Sequence, residues 1–248
     1  MSKKTEQIIN LKLLTLVSLS SLLLFTPVTL AGFKPTNRKP ASDYSRSAGK
    51  RGCPNEPNAT IPLTLLAPQT YIGFTASLRP TFVGFVSNSQ QVEFRVFEFI
   101  SDNRVQQIGN EAIKDAKSGI FTISLPEKYP DLSVGKKYLW QLTINCSENN
   151  TNIVEAAEFM VVETPSTLKN VLSTTSDDLQ KAHVYAEAGL WYESLAEAVQ
   201  LKNDGKLGKL GSTLVNNVAE YESPRIKDKE FVVRERIQNL QTIATQQQ

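Results

Sequence analysis

The 248-residue chain carries 27 Lys and Arg against 25 Asp and Glu, a formal net charge of +2. That excess lies in residues 1–31, which hold three lysines and Glu6, so the remainder balances at 24 against 24 (27 less three, 25 less one). A general role on nucleic acid or an acidic membrane therefore lacks compositional support.

Residues 1–31 read as an export signal. Lys3, Lys4 and Lys12 form a basic start, Leu13 to Phe25 is largely apolar, and Thr29-Leu30-Ala31 offers small residues for cleavage after Ala31. The apolar run is shorter than the roughly 20 residues that span a bilayer, so no stable membrane span is expected after cleavage. The expected location is outside the cytoplasm: periplasm, envelope or medium. About 217 residues then remain, enough for one large domain or two small ones.

In such a compartment two cysteines usually pair. Cys53 and Cys146 are 93 residues apart and are expected to form a structural disulfide. A metal site would need more ligands than these two and His183 supply, and a redox pair usually sits closer in sequence.

Residues 32–52 are rich in Pro, Ser, Gly, Lys and Arg, which predicts a disordered linker. Residues 53–163 hold seven predicted strands: Leu63–Leu66, Phe82–Val86, Gln91–Phe99, Arg104–Ile108, Ile120–Ser124, Tyr138–Asn145 and Ile153–Val162. In the sixth, Tyr138, Trp140, Leu142, Ile144 and Cys146 alternate with Lys137, Gln141, Thr143 and Asn145, broken only by Leu139. Period two over this length marks a strand with one buried face. Tyr138 and Trp140 are expected in the core. Leu139, Phe97 and Phe99 fall off pattern and are expected to touch a helical part. Short strands with turn residues between them predict an Ig-like, antiparallel β-sandwich of about seven strands.

A small all-α domain of four to five helices follows, over 164–222, with a C-terminal helix and frayed tail over 223–248. Thr164-Pro165 and Ser176 or Asp177 are helix starts. Leu207, Leu210, Leu214, Val218 and Tyr221 form one helical face, as do Val233, Ile237, Leu240 and Ala244. Tyr185 to Leu195, with Gly189 at the turn and Trp191 just after it, resembles the turn of a tetratricopeptide repeat. The resemblance implies one helical hairpin, with Tyr185, Gly189, Trp191 and Tyr192 as a candidate surface for a protein or peptide partner; the alternative for the hairpin is packing.

No cofactor or catalytic motif is present: no Walker loop, no G-x-G-x-x-G, no G-x-S-x-G, and His183 has no H-E-x-x-H partner. Glu155, Glu158 and Glu163 on one strand are the candidates for a carboxylate pair of the kind that hydrolyses glycosides, or are simply acids on its wet face. The expectation is a non-enzymatic interaction protein without cofactor or metal. A carbohydrate- or wall-polymer-binding module and a hydrolase with paired carboxylates are the alternatives.

The ordered pieces Gly52-Cys53-Pro54, Pro62 to Pro68, Arg79 to Phe82, Ser124 to Pro126, Val134 to Lys136 with Tyr138 and Trp140, Cys146, and Tyr185 to Leu195 run from about Gly52 to Val218. In that order they resemble the domain of unknown function 928 family of exported, mainly cyanobacterial proteins. The resemblance implies export and fold; it implies no activity.

Overall fold

The computed structural model describes residues 32–45, 61–146, 151–200, 205–223 and 230–248, without the side chains of Lys114 and Thr151. Eight strands precede five helices in these residues. The strands are β1 (Thr64–Leu65), β2 (Gly73–Thr75), β3 (Thr81–Val86), β4 (Gln90–Ser101), β5 (Arg104–Ala116), β6 (Gly119–Ser124), β7 (Lys137–Cys146) and β8 (Thr151–Val161). The helices are α1 (Ser166–Thr174), α2 (Asp178–Glu187), α3 (Trp191–Gln200), α4 (Gly208–Tyr221) and α5 (Glu230–Gln246). The described residues belong to one compact unit.

Two sheets form, one of three strands in the order β1-β3-β6 and one of five in the order β2-β8-β7-β4-β5. The second is mixed, which departs from the all-antiparallel expectation: β2 runs parallel to β8, with Phe74 opposite Met160. β2 escapes sequence reading because three residues give no period to detect. β5 continues past Ile108 to Ala116, and register shifts in its pairing with β4 disturb the alternation that would have announced it.

β7 lies centrally, pairing with β4 and β8. Its Trp140 faces small partners, lying opposite Val96 on one side and Ala157 on the other. Phe82 of β3 crosses from the other sheet and meets the rings of Trp140, Phe94 and Phe159 at centroid distances of 4.7, 5.3 and 5.3 Å. The two sheets thus face each other across an aromatic layer. The layer is completed by α3. Its Tyr192 lies 5.4 Å from both Phe82 and Phe159, and its hydroxyl accepts a 3.1 Å hydrogen bond from the indole N–H of Trp140.

Two expectations about surfaces are corrected. Leu139, Gln141 and Thr143, on the other face of β7, are also buried, so the strand is covered on both sides. Leu139 and Phe97 are register partners on that outer face. Phe99 meets the N-terminal stretch and β7: Tyr44 stacks edge-on against it at 5.4 Å and the Lys137 ammonium lies 3.8 Å above its ring.

Tyr44 belongs to the stretch expected to be a disordered linker. Over its described part, 32–45, that stretch is a strap docked on the body. Phe33 is 2% exposed and meets Trp191 edge-on at 5.0 Å. The Ile72 N–H donates to Lys39 O at 2.8 Å and the Ala41 N–H donates to Thr70 O at 3.2 Å. The Ser42 N–H donates to Glu158 at 2.8 Å. Backbone pairing and two apolar anchors hold the strap, and composition registers neither. The rest of the expected linker, 46–52, lies outside the described residues.

The helix starts follow capping chemistry in part. Asp177 caps α2, accepting from the Leu179 N–H at 3.0 Å. α1 begins after Pro165 with no side-chain cap. Gly189 has φ +73°, the left-handed conformation that closes α2 and admits α3. A side chain there would also strike the strap, since a Cβ would lie 2.9 Å from Thr36 Cγ2. Among the described residues no helix is long and apolar enough to cross a membrane.

Candidate functional site

The residues expected to form a contact surface on the α2–α3 hairpin point elsewhere. Trp191 and Tyr192 are 1% and 3% exposed, Gly189 is buried, and Tyr185 is half-buried. Trp191 lies under Phe33, and its indole N–H donates to Leu66 O at 2.9 Å. A surface that a partner could grip is therefore not built from these aromatics; they pack α3 into the sheets. Burying two such large side chains removes several hundred square ångströms of apolar surface from water, and that accounts for their presence.

The second expectation fails on strand parity. Glu155 and Glu158 are three residues apart on β8, so they emerge on opposite faces. Glu155 lies opposite Leu142 on the inner face, whereas Glu158 lies opposite Leu139 on the outer face. Each is almost fully buried, and Glu163 is exposed beyond the strand. Glu158 takes hydrogen bonds from the strap at Ser42 and pairs with Lys137 Nζ at 3.3 Å. The two acids thus belong to separate constellations.

The inner-face glutamate leads to the most unusual chemistry described in the molecule. Arg236, on α5, is 2% exposed and reaches inward to Glu155 and Glu222. Its Nε lies 3.3 Å from Glu222 Oε1 and its Nη1 lies 3.6 Å from Glu155 Oε2. The first is a long hydrogen bond; the second is an ion-pair distance without a hydrogen bond. Nη2 donates to Leu65 O at 3.1 Å and also to Ala67 O. Glu222 accepts from the main-chain N–H groups of Gln69 and Thr70 at 2.8 and 2.9 Å. The Gln69 amide donates to Glu155 at 2.9 Å, tying the two carboxylates together.

Residues 65–72 are therefore the hub. Their carbonyls receive Arg236, Trp191 and the strap, and their N–H groups address Glu222 and the strap. Tyr71, 3% exposed, stands in the same field. Burial first, then the Glu222 charge, pushes its phenol well above the usual tyrosine range. Its Oη is buried without a hydrogen-bond partner. Chemically the cluster holds two carboxylates against one guanidinium and spends their hydrogen-bonding capacity on orienting main chain.

A third buried acid anchors α3. Glu193, in its first turn, accepts through Oε1 from Thr75 Oγ1 at 2.6 Å and from the N–H groups of Ala76 and Ser77 at 2.8 Å each. It thereby pins the connection between β2 and β3. Burial raises its pKa above the ordinary glutamate value, against the opposing pull of these donors.

Sequence reasoning missed Arg236 and Glu222. The signal for Arg236 is present: it falls in helical phase with Leu240, Ile243 and Ala244, all buried. Glu222 follows the end of α4 and has no pattern to place it. Of the expected disulfide, Cys146 ends β7, is buried and is not a free thiol. Cys53 lies outside the described residues.

Other quoted motifs acquire structural roles. Arg79 donates to the carbonyls of Leu125 and Pro126 at 3.2 and 3.1 Å and pairs with Asp131 at 2.5 Å, which gathers the β6–β7 connection. The Tyr138 hydroxyl accepts from the Ser133 N–H at 2.9 Å. No curated protein and no solved structure matches this chain. The family model described as Domain of Unknown Function (DUF928) matches residues 46–219, and the chain belongs to that family.

Proposed function

We propose that this chain is an exported, non-enzymatic interaction protein of the cell envelope, with its Ig-like β-sandwich as scaffold and α1–α2 as the contact face. One observation carries the choice of face. Seven of the nine residues of α1 are exposed, and Leu168 is its one buried residue. A helix this short is marginal in water without packing. Val171 on α1 and Leu179 on α2 are 47% and 43% exposed. A partner covering these side chains supplies the burial that the body does not.

The test is capture from envelope extract by wild type and by Val171→Asp/Leu179→Asp. Both sites are exposed, so folding stability should change by no more than about 0.5 kcal/mol at each. Loss of a captured partner with an unchanged Tm supports the reading. Equal capture by both sinks it.

In this reading Cys53 and Cys146 form a disulfide that closes 93 residues. The chain-entropy model gives such a bridge roughly 4–5 kcal/mol. Thermal melts with and without reductant measure it, and an unchanged Tm removes the bridge from the proposal.

A polymer-binding reading has one observation of its own. Lys34, Arg38 and Lys39 are exposed on the docked strap. They offer a fixed basic row for an anionic wall polymer, whose retention would weaken with salt.

A further inference from the structure

At one end of the sheets two loops expose aliphatic side chains: residues 76–80 between β2 and β3, and residues 125–136 between β6 and β7. Leu78 is 40% exposed in the first and Val134 is 53% exposed in the second. Ile100, 43% exposed, lies at the same end, two residues past Glu98, which pairs with Tyr138 near the start of β7. The two loops are stitched into one rim. The Leu132 N–H donates to Leu78 O at 3.0 Å, the Gly135 N–H to Val161 O at 2.8 Å and the Val162 N–H to Thr75 O at 2.8 Å. Glu193 takes the N–H groups of Ala76 and Ser77, Ser77 Oγ takes that of Arg79, and the Tyr138 hydroxyl takes that of Ser133. The ions beside the tips are paired, Arg79 with Asp131 and Lys136 with Glu98.

We propose that this rim is a shallow docking site for a zwitterionic phospholipid surface, with Leu78 and Val134 entering the boundary between headgroups and acyl chains. Exposed apolar side chains gathered in one place mark a protein or a membrane contact. Main-chain chemistry selects the membrane. An apolar phase penalises every main-chain group that lacks an internal partner. Here the N–H groups on either side of each tip, Ser77 and Arg79 about Leu78, Ser133 and Gly135 about Val134, already donate within the protein. The tips can therefore leave water without stranding these donors. Charge selects the kind of lipid. Paired ions beside the tips give no net attraction to an anionic surface, in keeping with the charge balance of residues 32–248. Bracing does the rest. The first loop is held by Glu193 and the second by Tyr138 and Val161, so entry into the boundary orders little that is not ordered already. The site lies apart from the α1–α2 residues Val171 and Leu179 and rests neither on them nor on export.

The experiment uses the full-length chain with phosphatidylcholine vesicles whose acyl chains are brominated to quench tryptophan. Tryptophan replaces Val134 in one variant and Thr242, exposed on α5, in another. Residues 1–31 are common to both, so attachment through them acts on both alike, and the buried Trp140 and Trp191 give the same background in each. The Val134→Trp emission should move to the blue and be quenched at least roughly threefold more strongly than that of Thr242→Trp, because only the rim enters the boundary. Adding Leu78→Asp to Val134→Trp should lower the quenching at least roughly threefold, since a carboxylate resists the apolar layer. Leu78→Ser serves if Leu78→Asp does not fold. Raising the salt concentration should leave the quenching unchanged. Equal quenching of the two tryptophans, or none in either, overturns the proposal. Quenching that survives both Leu78 substitutions, or that appears only when anionic lipid is added, also overturns it. If lipid moves neither tryptophan and Leu78→Asp instead costs the chain a protein captured from envelope extract, the rim is a protein interface and the proposal fails.

Discussion

The two ends of the described chain grip the same hub by opposite means. The N-terminal strap brings an apolar ring, Phe33, and main-chain hydrogen bonds at Ala41 and Ile72. The C-terminal helix α5 brings a guanidinium, Arg236, into a site holding Glu155 and Glu222. Both grips lie outside residues 46–219, the span the family model covers, although Glu155, Gln69 and Trp191 lie within it. The difference is one of tolerance. An apolar plug can leave and expose a ring to water at a cost proportional to area. A guanidinium that leaves strands two carboxylates in a dry interior. The strap is therefore suited to opening, and α5 is suited to staying.

The largest effect should come from Arg236→Ala. Removing one partner of a buried ion pair costs about 3–5 kcal/mol, because the remaining charge is unpaired. Here two carboxylates lose their cation and Leu65 and Ala67 lose a donor. Denaturant unfolding should show the loss as a lower midpoint. Adding Glu155→Gln should restore part of it by removing one stranded charge. If Arg236→Ala costs less than about 1 kcal/mol, the comparison collapses, since α5 would then be no more committed than the strap.

Phe33→Ala should cost less, about 2–3 kcal/mol. That is below the usual range for a buried Phe because the strap can detach rather than leave a cavity. Its signature is local. Hydrogen exchange at the Ala41 and Ile72 amides should quicken while β7 keeps its protection. Uniform loss of protection throughout would make the strap part of the global fold. Trp191→Phe should cost about 1–2 kcal/mol, since the Leu66 carbonyl would lose its 2.9 Å donor and remain buried. Limited digestion with trypsin separates it from Phe33→Ala, because only the latter should open Lys34 and Arg38 to cleavage.

Much of the body was legible because periodicity is a local signal. Tyr138, Trp140, Leu142 and Ile144 announce β7 by alternation, and all are buried. Asp177 announces the start of α2 by its position before an amphipathic run. What was illegible depended on distant partners. The strap has the composition of a linker, and its order comes from residues 70–72 and Glu158. The hairpin aromatics admit both a contact surface and packing, because the partners that decide it, Phe82 and Leu66, lie over 100 residues away. The charge cluster was half legible. Glu155 falls in phase with Ile153, Ala157 and Phe159, an acid on an apolar strand face, and such a placement signals a buried counter-charge. The sequence could not say that the counter-charge would come from Arg236.

The smallest effect concerns the charge that neither end covers. Glu193 is buried and is held by Thr75, Ala76 and Ser77 through one oxygen, while Oε2 has no hydrogen-bond partner among the described residues. Burial raises its folded pKa above 4.5, so the folded protein keeps this proton longer than the unfolded chain does. The folded state then binds more protons across the interval from 4.5 up to the raised value, and stability must fall as pH rises through it. Glu193→Gln keeps the accepting oxygen but cannot ionise. Its new N–H group lacks a partner too, so a fixed loss is expected at every pH. The informative quantity is the slope: the wild-type minus Gln stability difference should decrease as pH rises above 4.5 and level off once Glu193 is ionised in both states. Urea unfolding of both proteins at a series of pH values measures it. A difference that stays constant would mean that the three donors fully offset burial, and a lone acid could then be held here as securely as the one that Arg236 compensates.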